Sequence, residues 1–110
     1  MVECSFLIPI VRDSTLSDGK EHSRELWQWL DTELLIRFGG RTVAPGYQEG
    51  FYRDPDTGNR VDDRSIKFTV VVADEKLDEF RLLLRAACLF FGQKCIYLSV
   101  AGHVEFVEGV

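Results

Sequence analysis

Metal binding, nucleophilic catalysis and phosphate binding each demand a recognisable set of side chains. The 110 residues of this chain supply only fragments of each. The thiols are Cys4, Cys88 and Cys95, and His103 follows them in sequence. Zinc ligands usually come in tight C-x₂₋₄-C pairs, which this spacing lacks, so no metal is expected. Cys88 falls among apolar residues at helical spacing, where a free cysteine packs as a small hydrophobe. Asp54-Pro55-Asp56-Thr57-Gly58-Asn59 opens like a calcium loop. Its glycine comes one place early, and Ser65 stands where the bidentate glutamate belongs. A tight turn explains the same residues more simply.

No serine sits in a nucleophile elbow, and Gly39-Gly40 follows a helix rather than opening one, the wrong order for phosphate. His22 is expected as a solvated residue in the first turn of a helix. His103 follows a glycine at a turn, and with Tyr97 and Arg41 it makes the short set of catalytic candidates. No cofactor is implied. The densest polar set is Tyr47, Glu49, Tyr52, Arg53 and Arg64, with Arg60, Asp62 and Asp63 around them. Aromatics and arginines dominate interface hot spots, so the first five are the candidate binding residues. A solvated hairpin with weakly paired charges is the plainer explanation.

The elements that must position these residues follow from periodicity and punctuation. Glu3 to Val11 reads as a strand with an irregular position at Pro9, which cannot donate to a ladder. Arg12 to Gly19 reads as a polar loop. A helix follows, with Asp18 as N-cap and Glu21 completing a capping box. Leu26, Trp27, Leu30, Leu34 and Phe38 form its apolar face, and Gly39-Gly40 stops it. Arg41 to Arg53 and Val61 to Ala73 form a long hairpin, with Pro45-Gly46 and Gly50 interrupting the first strand. A second helix starts at Asp74, carries Leu77, Phe80, Leu84, Ala87, Cys88 and Phe91 on its apolar face, and ends at Gly92. Cys95 to Val100 is a strand, and Val104 to Val107 adds a short fifth.

That order gives an α+β fold: a ferredoxin-like two-layer sandwich (βαββαβ), an antiparallel sheet with both helices on one face. Residues 1–110 form one domain, sized for a single core. The core is expected from Phe6, Ile8, Trp27, Leu30, Leu34, Phe68, Val70, Phe80, Leu84, Cys88 and Leu98. Trp29-Leu30-Asp31-x-Glu33, Arg37-Phe38, Thr42-Val43, Gly50-x-Tyr52-Arg53 and Thr57-Gly58 together resemble a family of small bacterial ferredoxin-like domains of unknown function. The resemblance covers the middle half of the chain and implies the fold, with no functional residues.

A net charge of −5 lacks the surplus of Lys and Arg that nucleic-acid binding needs. The apolar run from Phe6 to Val11 is too short to span a bilayer. Three cysteines without paired spacing, and an N-terminus without a basic region, point to the cytoplasm. A two-layer fold leaves one sheet face without helices, carrying Lys67, Thr69 and Val71 on one strand and Cys95, Tyr97 and Ser99 on another. That mixed face suits burial against a second copy. The expected function is thus a homo-oligomeric binding or regulatory module with a projecting hairpin at 53–64. The alternative is a small enzyme of the dimeric α+β barrel type acting on a small molecule.

Overall fold

The computed structural model describes residues 1–109. Strand β1 spans Val2–Pro9, helix α1 Arg24–Phe38, strand β2 Thr42–Val43, strand β3 Gln48–Arg53 and strand β4 Arg60–Val72. After a 3₁₀ turn at Asp74–Lys76 come helix α2, Leu77–Phe90, and strands β5, Ile96–Val100, and β6, His103–Val107. The six strands form one antiparallel sheet in the order β2-β4-β1-β5-β6, with β3 also pairing with β4. Among the described residues, no helix is long and apolar enough to cross a membrane.

Alternation along the strands decides what faces the helices. Cys4, Phe6 and Ile8 of β1, Phe68, Val70 and Val72 of β4, and Ile96, Leu98 and Val100 of β5 point to one side and are buried. They meet Leu30 and Leu34 of α1 and Phe80, Leu84 and Cys88 of α2 in one core. Phe6 stacks on Phe68 at 5.0 Å between centroids and takes the edge of Phe80 at 5.9 Å. Each fully buried side chain of this size contributes about 1.5–3 kcal/mol of transfer free energy. Of the expected core, only Trp27 is partly exposed, packed against its rim.

Several boundaries differ from the sequence reading, each for a local reason. Strand β1 ends at Pro9, which does not interrupt the ladder with β4: its position faces the β5 side, and the Ile10 amide beyond it still donates to Arg64 O at 2.9 Å. The cap of α1 is Ser23, whose hydroxyl accepts the Leu26 amide at 3.2 Å. Asp18 caps nothing: Arg12 forks onto its carboxylate at 2.8 and 3.0 Å, and Glu21 bridges to Val11. The first strand of the hairpin breaks into β2 and β3 around Pro45-Gly46. Helix α2 begins without a side-chain cap, because Asp74 starts the 3₁₀ turn instead. Cys95 precedes β5 rather than opening it, and β6 starts one residue earlier than expected, at His103. His22 is buried, not solvated.

Candidate functional site

The helix-free face carries the side chains of opposite parity: Ser5 and Leu7 on β1, Asp63, Ser65 and Lys67 on β4, Tyr97 on β5 and Phe106 on β6. The register places Tyr97 across from Phe106, and their rings meet edge to face at 5.9 Å. Pairing between β1 and β4 stops at Pro9 and Ser65, whereas β4 begins at Arg60. One further hydrogen bond follows, from the Ile10 amide to Arg64 O at 2.9 Å; residues 60–63 then pair only with β3, and this two-stranded ribbon projects beyond the sheet. Where it leaves, a pocket of about 440 Å³ opens on the helix-free face. Leu7, Pro9 and Ser65 line it from the sheet, Tyr52 and Asp63 from the ribbon, and Tyr97 and Phe106 from the far strands. Gly50 and Phe51 of the ribbon and Asp13, Gln93, Lys94 and Cys95 complete the lining.

The rim is fastened from both sides. The Asp13 amide donates to Gly92 O at 3.0 Å, and the Gln93 side-chain amide donates to Val11 O at 2.8 Å. Gly92 has φ +60°, and a Cβ there would come within 3.2 Å of Arg12 Cγ, so the Arg12 stem occupies the space a side chain would fill. The two hydrogen bonds from Arg12 hold the Asp18 carboxyl down at about 2. Lys94 lies 3.7 Å from Asp56 at the ribbon tip, an exposed pair of small energetic weight.

Electrostatically the pocket favours neutral groups on its walls. Burial pushes the Asp63 carboxyl above its ordinary value, and neighbouring Asp62 adds to the effect. Gly50 lies opposite it, and a Cβ there would come within 3.4 Å of Asp63 Oδ1. Burial likewise raises the Tyr52 phenol, reinforced by Asp13, and the Cys95 thiol, reinforced by Glu108. This is a largely apolar, aromatic cavity in which the Asp63 carboxylate is partly desolvated, with Asp13 and Lys94 as its other charged groups. Such a composition suits a flat apolar ligand carrying a few polar or cationic groups.

The structure brings together some of the expected site residues and separates others. Tyr52 and Tyr97, expected in different roles, line the same pocket. Arg41 does not join them. It forks onto Asp31 at 2.9 and 3.0 Å beside β2, at one edge of the sheet. His103 is exposed at the other edge, and four strand spacings of about 4.8 Å separate the two edges. Tyr47 is exposed ahead of β3.

Glu49 and Arg64 lie 3.7 Å apart and line a second, larger and more open hollow on the opposite side of the ribbon. There Arg60 covers the Phe51 ring at 4.0 Å and pairs with Asp62 at 2.9 Å, so both arginines already have partners. Arg53 lines a smaller hollow near the ribbon tip. In the 54–59 turn, Asp54 spends its carboxylate on the Asp56 amide at 2.8 Å. Among the described residues, no three His, Cys, Asp or Glu side chains converge as metal ligands.

The sequence places Asp63 in the polar hairpin set without making it a candidate binding residue, and it passes over Phe106. The signal for Phe106 was its parity: in a hairpin closed by Ala101-Gly102 it falls opposite Tyr97. Nothing local marks Asp63 as half-buried, since that depends on where β1 ends.

No protein family and no curated protein matches the sequence. Two solved structures share the fold. A phage SAM lyase in complex with S-methyl-5′-thioadenosine superposes with a TM-score of 0.65 at 13% identity, over 94% of this chain and 84% of that one. A phage SAM lyase in its apo state gives 0.62 at 12% identity, over 94% and 83%. The chain is thus an α+β sandwich similar in fold to these phage enzymes.

Proposed function

We propose that this chain is a small enzyme that binds an adenosyl sulfonium or thioether, of the S-adenosylmethionine and methylthioadenosine class, in the pocket between the ribbon and the helix-free face. The observation that carries the reading is the pairing of aromatic walls with the half-buried carboxylate of Asp63 in about 440 Å³, a volume suited to a nucleoside-sized ligand. Tyr97 and Phe106 offer ring faces and edges to a purine. Asp63 offers a carboxylate to ribose hydroxyls or to a sulfonium, and the aromatic rings also attract an alkylated cation. The strand order β2-β4-β1-β5-β6 supports the ferredoxin-like reading of the sandwich. The phage neighbours support a ligand of this class, and they favour a small enzyme over a regulatory module.

Lyase chemistry at a sulfonium breaks one carbon–sulfur bond. Sulfur keeps the bonding pair and departs as a neutral thioether. The carbon left behind either takes a new bond from the substrate's own carboxylate oxygen, closing a ring, or gains a double bond as the neighbouring carbon gives its proton to a base such as Asp63. An apolar cavity favours this step, because it destabilises the charged substrate relative to the neutral product. Asp63 offsets that penalty during binding.

The test is calorimetric titration with S-adenosylmethionine and with 5′-methylthioadenosine, followed by chromatography of incubated S-adenosylmethionine for released thioether. Phe106→Ala should weaken both ligands roughly tenfold, the lower end of an aromatic–base stack. Asp63→Asn should weaken the sulfonium more than the neutral thioether. Absence of binding by either ligand at millimolar concentration would overturn the reading.

Self-association through the helix-free face is a second reading. It is supported by Val71, 51% exposed on that face beyond the pocket.

A further inference from the structure

Strand β6 is the last strand of the sheet, and its outer edge has no partner among the described residues. Which of its backbone groups point outward follows from the turn. Ala101 and Gly102 both have positive φ, 49° and 85°, the signature of a two-residue hairpin closed by a hydrogen-bonded pair, here Val100 and His103. Alternation then turns His103, Glu105 and Val107 inward to β5, and Val104 and Phe106 outward. The Ala101 amide gives an independent check. It donates to Glu3 O of β1 at 2.9 Å, so odd-numbered residues of β5 face β1 and even-numbered ones face β6.

The outward edge has few of the usual protections: its one acidic residue is Glu105, held by Arg81. It contains no proline, lysine, glycine or bulge, and Val104 and Phe106 are 52% and 65% exposed. The opposite edge differs, because β3 carries Glu49, Gly50 and Arg53.

We infer that β6 pairs antiparallel with β6 of a second copy of this chain, about a two-fold axis through Glu105, joining the two sheets into one. This inference does not depend on the pocket's ligand. The register is set by the outward groups. With Glu105 at the centre, Val104 pairs with the partner's Phe106 and Phe106 with the partner's Val104. Every outward N–H and C=O of those two residues is then used.

The one charge that such an axis brings against its own copy is already neutralised. Arg81 of α2 forks onto Glu105 at 2.8 and 3.2 Å. The remaining cross-strand pairs are Val104 against Phe106 and His103 against Val107, which carry no opposing like charges. The axis is perpendicular to the sheet, so both pockets open on the same side. The partner's Val104 lies beside Phe106, the outermost wall of each pocket, and thereby contributes to the site.

Sedimentation equilibrium over a roughly thousandfold range of concentration reads the pairing directly. The wild-type weight-average mass should climb from one chain to two. Val104→Pro deletes an outward N–H while leaving the β5 ladder intact, so it should hold the mass at one chain with an unchanged circular dichroism spectrum. Val104→Thr keeps the N–H and should still dimerise. Should the proline variant misfold, Phe106→Lys on the same edge gives the same reading.

Val71→Glu separates edge pairing from face-to-face stacking and should leave the dimer unchanged. A wild type that stays one chain at every concentration overturns the inference. So does a folded Val104→Pro that still dimerises, or a dimer lost only with Val71→Glu.

Discussion

His22 sits where burial and chemistry conflict. Its Nε2 lies 2.7 Å from Pro9 O, and a carbonyl only accepts, so Nε2 carries the proton of the neutral ring. Trp27 and Phe91 close on it edge to face at 5.4 and 4.8 Å. The Nδ1 atom is buried with no hydrogen-bond partner among the described residues. A second proton would place an unpaired charge there, so burial holds the imidazole below its ordinary value near 6.5, offset by the Pro9 bond and reinforced by Arg12.

The sign follows from linkage. The unfolded chain binds the proton more readily, so the neutral ring's contribution is fully present above about pH 6.5 and declines as pH falls below it. Each unit of depression is worth about 1.4 kcal/mol. Urea midpoints measured from pH 7.5 downward should fall, and His22→Phe should flatten that slope. Asp63 acts with the opposite sign, since its raised carboxyl favours the folded state as pH falls, so Asp63→Asn should steepen the decline. A wild-type midpoint independent of pH across this window would remove His22 as the cause.

Among the elements, helix α1 shows how a good sequence signal can point to the wrong residue. Asp18 and Glu21 stand at capping-box spacing, yet the helix starts only at Arg24. Asp18 is taken by Arg12 and also accepts the Lys20 amide at 3.0 Å, and that loop is in turn needed to fasten the pocket rim. Ser23 does the capping. Ser23→Ala should lower stability by about 1 kcal/mol, whereas Asp18→Ala should chiefly loosen the 11–19 loop. Comparing their thermal midpoints distinguishes the two, and a larger loss from Asp18→Ala would restore the original assignment.

Regular elements were legible because alternation along β4 and helical spacing along α2 directly reflect burial. Phe68, Val70, Phe80 and Leu84 were recognised as core for that reason. The pocket was less legible. Tyr52 and Tyr97 stood out by residue type, but their convergence depends on β4 outrunning β1, a matter of strand length across the sheet. His22 was misread because its neighbours in space are Pro9 and Phe91, far off in sequence.

At the scale of the whole molecule, β1 is made first but lies in the middle of the sheet. Phe6 pairs with Phe68 on one side and with Leu98 on the other. Both ladders close over long stretches of chain, and the entropy of closing them must be overcome before any contact rewards it. On a ribosome, the β5 side of β1 stays unpaired until nearly the whole chain has emerged. Cys4, Phe6 and Ile8, fully buried in the finished protein, meanwhile have only a partial core to cover them. A chain ending at residue 94 should therefore remain uncooperative on heating and prone to aggregate, with its open β1 edge available to other strands. The full chain should refold in a phase of milliseconds to seconds, followed by tryptophan fluorescence. A sharp thermal transition in the shortened chain would show that β5 is dispensable. Otherwise this protein depends during synthesis on whatever shields its first strand until its last ones arrive.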